Sequence, residues 1–493
     1  MPFLHLYSAR MNQQTLCPYI AELPNICGSE ETIAEAMKGC GPFYLPQSQI
    51  DFPRVKSCFA NALHMHQPLI PAGKGDLQEA QIISNLQHMM EHGDEYNATV
   101  FHDCYKRLGK FIPKLVDAGH QPRIMLDYSG CLLHGLIQME FDDVIEHLRT
   151  ITCSPEYSPC VEWLATPWGH AVAPSTPVQD LRLHVRAWQH FFAALFGLEA
   201  LSKVRGFSPS EMALPNHPDV FFEFVKTLKE LGFRWVLVQE HTVEPIGTGE
   251  GGFDPYLPHR LVAKNSRGET LSITAIIKTQ GSDTKLVAQM QPYHEAQTLG
   301  LRDLAGRSVP PIVTQIADGE NGGVMMNEFP AMFQETMKAA TATQTPAVNV
   351  SEYLEYLDTQ GITEQDYPAL QPIMQGRIWE RFTDGTGPEA MEACIAELQQ
   401  EDDRFHVEGG SWTNDMSWVA GYESVLGPMQ KASALFSEKL LSQQLPSTDS
   451  EYREALYLLM LTQTSCFRYW GEGPWTDYGR ELCRRLTEKL ERL

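Results

Sequence analysis

The sequence predicts an α/β fold: a barrel of parallel strands, followed by a C-terminal α-helical domain. Short apolar runs separated by helical stretches recur between residues 56 and 345, the pattern of parallel strands joined by crossover helices. These runs lead into polar or aromatic residues, among them His64, Asp127, His170, Glu211, Glu240 and Asp318. The C-terminal ends of barrel strands are where such folds carry their chemistry. Beyond residue 345 the segments 353–357, 389–399, 429–441, 451–470 and 479–493 all read as helical.

The best-defined run is Ala62-Leu63-His64-Met65-His66-Gln67-Pro68, preceded by small and apolar residues from Ser57. Side chains alternate faces along a strand, so His64 and His66 point one way and Met65 the other. Gln67 extends the polar patch, and Pro68, which has no N–H to give the ladder, ends the strand. The next runs are 123–130, ending in Asp127, Tyr128, Ser129 and Gly130, and 160–170, ending in Trp168 and His170. Then come 204–211, 234–240 closed by Glu240, and 311–317 closed by Asp318-Gly319-Glu320-Asn321-Gly322-Gly323. Between them, helices are predicted at 76–93, as a pair within 97–118, at 132–149, at 178–196 and at 219–231, with a hairpin-rich excursion at 258–277 turning at Asn265-Ser266-Arg267-Gly268. Residues 1–55 read as an irregular extension lying over the main domain. The predicted division is therefore 1–55, 56–345 and 346–493, and there is no internal repeat.

Composition narrows the function. A chain of 493 residues with 43% hydrophobic and 10% aromatic content is a packed globular protein. Its net charge of −24, from 38 basic against 62 acidic residues, disfavours nucleic acid and anionic membranes as partners. A neutral substrate such as a sugar fits. The first ten residues lack the basic and apolar pattern of a signal peptide, and no apolar run reaches the roughly 18 residues of a membrane span. Eleven scattered cysteines without a Cys-x-x-Cys pair read as free thiols, which predicts a cytoplasmic protein. Oligomeric state is not legible.

Two carboxylates stand out. Glu211 follows a glycine-containing strand exit and a proline, and Asp318 closes an apolar strand. Desolvation at such places raises a carboxyl pKa, and two carboxyl groups in unlike environments are what glycoside hydrolysis uses. From the residues alone, Glu211 serves equally to cap a following helix and Asp318 to cap a turn. Trp163, Trp168 and Trp412 are expected in the core.

These stretches together resemble glycoside hydrolase family 57. His64-Met65-His66-Gln67-Pro68 is similar to that family's first motif, and Gly169-His170-Ala171-Val172-Ala173-Pro174 resembles the second. Gly206-Phe207-Ser208-Pro209-Ser210-Glu211 resembles the third, Asp318 the fourth, and Thr464-Ser465-Cys466-Phe467-Arg468-Tyr469-Trp470-Gly471 the fifth. The resemblance implies a distorted seven-stranded (β/α) barrel followed by helices. It implies a retaining enzyme acting on α-linked glucans, as α-amylase, 4-α-glucanotransferase or branching enzyme, with an oligo- or polysaccharide substrate and no cofactor. It makes Glu211 the nucleophile and Asp318 the general acid/base. His64, His66 and His170 become sugar contacts, with Trp470 stacking on a pyranose face; Gln67 and Glu240, polar residues at strand ends, are expected to bind substrate beside them. Two departures are visible: Ser208 stands where the family commonly has tryptophan, and the N-terminal extension is unusual. Two other readings remain: a metal-dependent deacetylase or α-mannosidase type of enzyme using His64 and His66 with Asp127 or Asp318, and a catalytically silent glycan-binding relative.

Overall fold

The structure is a computed structural model that describes residues 16–39, 41–247, 252–279, 285–320 and 327–493. Seven strands follow in chain order: β1 (Cys58–Met65), β2 (Ile124–Tyr128), β3 (Val161–Ala165), β4 (Gly206–Phe207), β5 (Trp235–Gln239), β6 (Thr270–Lys278) and β7 (Ile312–Asp318). Each pairs in parallel with the next, and β7 pairs with β1, which closes the ring. The ring is uneven. β7 and β1 share seven registered pairs from Ile312↔Cys58 to Asp318↔His64, whereas β6 meets β7 only at Lys278↔Thr314.

Alternation sorts the strand residues into two cores. Cys58, Ala60 and Ala62 of β1, Met125 of β2, Leu164 of β3, Trp235 and Leu237 of β5, Ile276 of β6 and Ile312 and Ile316 of β7 pack together inside the barrel. Phe59, Leu63, Leu126, Trp163, Val236 and Val313 belong to the outer core under the helices. Gly206 is an inward position of β4 that only glycine fills, since a Cβ there would lie 2.3 Å from the Trp235 ring. Continuing the same alternation to the strand ends, the inward positions become His64, Asp127, Ser208, Gln239, Lys278 and Asp318. The barrel is apolar in its middle and polar at its C-terminal rim.

Several predicted elements fall differently. The second arm of the 258–277 hairpin is β6 itself: its outer partner His259–Lys264 runs antiparallel to it, and burial of Ile273, Ala275, Ile276 and Ile277 makes it a barrel strand. Within 76–93 only Asn85–Glu91 is helical, because Ile82–Ser84 pairs with Leu69–Pro71. The helix pair expected within 97–118 is one continuous helix, Glu95–Asp117, which accommodates Pro113. The stretch 132–149 divides into Gly130–Gln138 and Asp142–Cys153, with Glu140 at φ +58° in the break.

The flanking regions pack onto the barrel. Helix Glu30–Met37 of the N-terminal region contributes Ile33 and Met37 to the outer core. Helix Val350–Thr359 sits under the N-terminal ends of the strands, where Tyr353 enters the inner core. A strand at Ala369–Pro372 joins the sheet through His259–Lys264. The last helices, Glu423–Phe436, Ser450–Thr462 and Pro474–Glu491, share the outer core. Gly169 lets this bundle approach the barrel rim, since a Cβ there would meet the Met460 carbonyl oxygen at 2.1 Å.

Candidate active site at the C-terminal rim of the barrel

The polar rim holds a stack of three imidazoles. His170 lies in the loop after β3 at φ +59°, a left-handed conformation that costs a non-glycine residue energy. It turns the ring onto His66, 4.1 Å between centroids, and onto His64, 4.7 Å. Each ring is fixed through Nδ1: His64 to the Asp127 carboxylate at 3.0 Å, His66 to the Ser129 hydroxyl at 2.8 Å, and His170 to the Ser465 hydroxyl at 2.7 Å.

The three rings differ in charge. Burial opposes protonation of His64, but Asp127, Asp318 and Glu320 outweigh it and lift its pKa to about 10. Burial pushes His66 and His170 well below the usual range, and the His64 cation adds to that. The site therefore presents one imidazolium flanked by two neutral rings. Nε2 of both neutral rings is buried and has no hydrogen-bond partner among the described residues.

Glu211 and Asp318 open into the same pocket as His64, together with Ser208, Lys278 and Trp412. Its walls bound about 500 Å³ of space, continuous with solvent. Glu211 sits on a tight turn after β4 where two consecutive residues are left-handed, Glu211 at φ +58° and Met212 at φ +49°. This aims its carboxylate at the pocket, with Oε1 3.7 Å from His170 Nδ1 and Oε2 accepting from Trp412 Nε1 at 3.0 Å. Burial and the neighbouring Asp318 raise its pKa, while the His64 cation and donors from Ser465 and Trp412 act the other way. Asp318, the last residue of β7, is open to the pocket yet ringed by protein. Enclosure raises its pKa, and Asp127 adds to the rise against the pull of His64. Glu320 lies behind, buried, and accepts a short hydrogen bond from the His66 backbone N–H. Its pKa rises to about 8, through burial first. Asn321, Gly322 and Gly323 lie outside the described residues.

Of the expected sugar contacts, the structure gathers His64, His66 and His170 beside Glu211 and Asp318, and it places three others elsewhere. Gln67 is buried to the side, accepting from Asn85 at 2.8 Å. Glu240 begins the helical turn after β5, one residue beyond the inward-facing Gln239, so strand alternation takes it out of the barrel. Trp470 is 60% exposed, on a turn beyond the 3-10 turn Ser465–Phe467 rather than on a helix. Its neighbour Tyr469 is the buried ring, 4.1 Å from Trp418.

Two residues of the pocket wall lie outside the motifs, Lys278 and Trp412. Lys278, buried with a pKa lowered by burial to about 8, faces inward by the alternation of β6. Trp412 was expected in the core, and Trp163 and Trp168 are indeed buried there. Trp412 packs half-buried against the inner core and also forms part of the pocket wall. It arrives from 201 residues further along the chain, so no local signal marks it. Among the described residues no three His, Cys, Asp or Glu side chains converge as a metal-ligand set.

Residues 60–287 match the family described as glycosyl hydrolase family 57. The match covers somewhat less than half of the chain, and the likeness of fold extends past it. The 4-α-glucanotransferase of Thermococcus litoralis superposes with a TM-score of 0.54 at 15% identity, over 89% of this chain and 60% of that one. The exo-type maltose-forming amylase of Pyrococcus sp. ST04 gives a TM-score of 0.50 at 11% identity, over 84% and 76%. The chain thus spans 60% of the length of the glucanotransferase it resembles. No curated protein sequence matches it.

Proposed function

We propose that the protein is a retaining glycoside hydrolase or glucanotransferase that acts on α-linked glucans by double displacement. The observation that carries this reading is the opening of Glu211 and Asp318, from two different strand ends, into one pocket beside the His64 cation. Their surroundings differ in the sense that the chemistry needs. Donors from Trp412 and Ser465 favour the Glu211 anion, whereas Asp318 faces the added repulsion of Asp127 and holds a proton more readily.

Glu211 attacks the anomeric carbon as Asp318 gives its proton to the departing glycosidic oxygen. A glycosyl ester and a free sugar hydroxyl result. Asp318, now a carboxylate, takes the proton of an incoming hydroxyl, whose oxygen replaces Glu211 at the same carbon and restores both groups. Water as acceptor gives hydrolysis, and a sugar hydroxyl gives transfer. His64 supplies positive charge beside both carboxyl groups, and the unshared Nε2 atoms of His66 and His170 suit sugar hydroxyls. The match of residues 60–287 to glycosyl hydrolase family 57 and the glucan-active enzymes that share the fold support this substrate class. A cytoplasmic setting is supported by the cysteines, since all ten in the described residues are free thiols. No described helix is long and apolar enough to cross a membrane.

Incubating wild type and Glu211→Gln with maltoheptaose and with amylose tests the reading. Shorter products alone identify a hydrolase, a ladder of longer and shorter chains a transferase, and new α-1,6 linkages a branching enzyme. Absence of product from wild type on both glucans refutes it.

A further inference from the structure

Four consecutive residues of the C-terminal region, Gly409 to Trp412, are each seated on a loop at the barrel rim. Gly409, at φ +107°, leaves no room for a Cβ, which would lie 2.7 Å from the Leu214 carbonyl oxygen and from Pro174. Gly410 exchanges two backbone hydrogen bonds with Leu214, at 2.8 and 3.1 Å. The Ser411 carbonyl pairs with His241 Nε2 at 2.8 Å. Trp412 then grips Glu211 twice: its backbone N–H donates to the Glu211 carbonyl at 3.1 Å, and its indole N–H donates to Oε2 at 3.0 Å. The indole is held from behind by Trp418, edge to face at 5.1 Å.

We propose that Trp412 is a positioning residue for Glu211, whose carboxylate is oriented by an indole N–H that the C-terminal region brings to the barrel. This rests on the reading of Glu211 as the nucleophile. Glu211 occupies a left-handed turn after a two-residue strand, which directs the side chain to the pocket and leaves the carboxylate itself to be oriented by the groups around it. The left-handed main chain is locked by the Trp412 N–H, and the carboxylate by the indole. One oxygen is thereby fixed, while Oε1 stays on the His170 and Ser465 side. Groups facing the carboxylate include Asp318, which disfavours its charge, and His64, Ser465 and Trp412, which favour it; the neutral His170 ring lies 3.7 Å away, and Cys466, Arg468 and Tyr469 interact with it electrostatically. Removing the indole donor therefore raises the pH at which Glu211 ionises. A mere aromatic wall for the sugar would act differently: it would change KM and leave that ionisation in place.

Trp412→Phe keeps a ring and deletes the N–H. With maltoheptaose we expect kcat to fall roughly tenfold to a hundredfold, KM to change by less than about threefold, and the acidic limb of the pH–rate profile to move up by about one unit. Unchanged kcat and pH profile beside an active wild type overturn the inference, as does a rise in KM alone. An independent measurement needs no turnover: the carboxyl carbon-13 resonance of Glu211, assigned by its loss in Glu211→Gln, should titrate at higher pH in Trp412→Phe than in wild type. Equal midpoints overturn the inference even if no glucan proves to be a substrate, which separates its failure from that of the proposed activity.

Discussion

At the N-terminal end of the barrel Arg123 meets Glu352 through two hydrogen bonds of 2.9 and 3.0 Å, both side chains being almost fully buried. Glu352 also accepts from the Asn349 backbone and closes the capping box of its helix. At the C-terminal rim, the opposite end of the strands, buried polar groups are left half-used. His66 Nε2, His170 Nε2 and Asp127 Oδ1 have no partner among the described residues, His170 and Glu211 are left-handed, and Glu211 and Asp318 are both pushed toward protonation. One end satisfies its charges within the protein and holds the barrel together. The other keeps hydrogen-bonding capacity and strain in reserve, which the surrounding fold must stabilise.

Substitutions that exchange the expected roles of the two ends test this contrast. The largest effect belongs to the rim: Glu211→Gln should lower turnover on maltoheptaose by on the order of 10⁴-fold while stability in a denaturant titration stays equal or rises, because a strained, desolvated carboxylate is removed. A rate within tenfold of wild type would show that Glu211 is not the nucleophile. At the other end, Arg123→Met leaves Glu352 buried without its cation. It should cost about 3–5 kcal/mol of stability, with kcat/KM of the folded protein nearly unchanged.

A finer test uses pH. His64 has a folded pKa of about 10 against an ordinary 6.5. Its protonation therefore contributes stability in full below pH 6.5, and that contribution is lost as pH rises toward 10. In Asp127→Asn the chief source of the rise is gone, so stability should fall less over the same window. Parallel curves for the two proteins would mean that Asp127 does not hold the proton on His64. The smallest effect is expected from Trp470→Ala: the ring is exposed and outside the pocket wall, so kcat/KM for maltoheptaose should change by less than about threefold.

How much of this was legible without coordinates depends on the range of each interaction. The His64–His66 pair, Asp127 and Asp318 sit on strands whose period of two is written in the sequence, so their common facing could be read from spacing. The same rule applied to 234–239 and 270–278 points to Gln239 and Lys278. It was missed for Lys278 because β6 looks locally like one arm of a hairpin, and only closure of the ring against β5 and β7 makes it a barrel strand. The break at Glu140 and the strand at Ile82–Ser84 were equally hidden, since tertiary pairing overrode helical spacing there.

By itself, the sequence determined which residues face inward at the ends of the strands it marks clearly, such as β1, β2 and β7, because alternation is a local property of the backbone. It therefore determined the polar rim and the set of carboxyl and imidazole groups available for chemistry. Tertiary structure decided how those groups are charged and aimed. The His64 cation depends on Asp127 across the β1–β2 pair, the His170 ring on Ser465, and the Glu211 carboxylate on Trp412. The last two of these contacts join residues 295 and 201 positions apart. No spacing rule reaches that far, because the geometry is set by how the helical region packs onto the barrel rather than by the chain on either side.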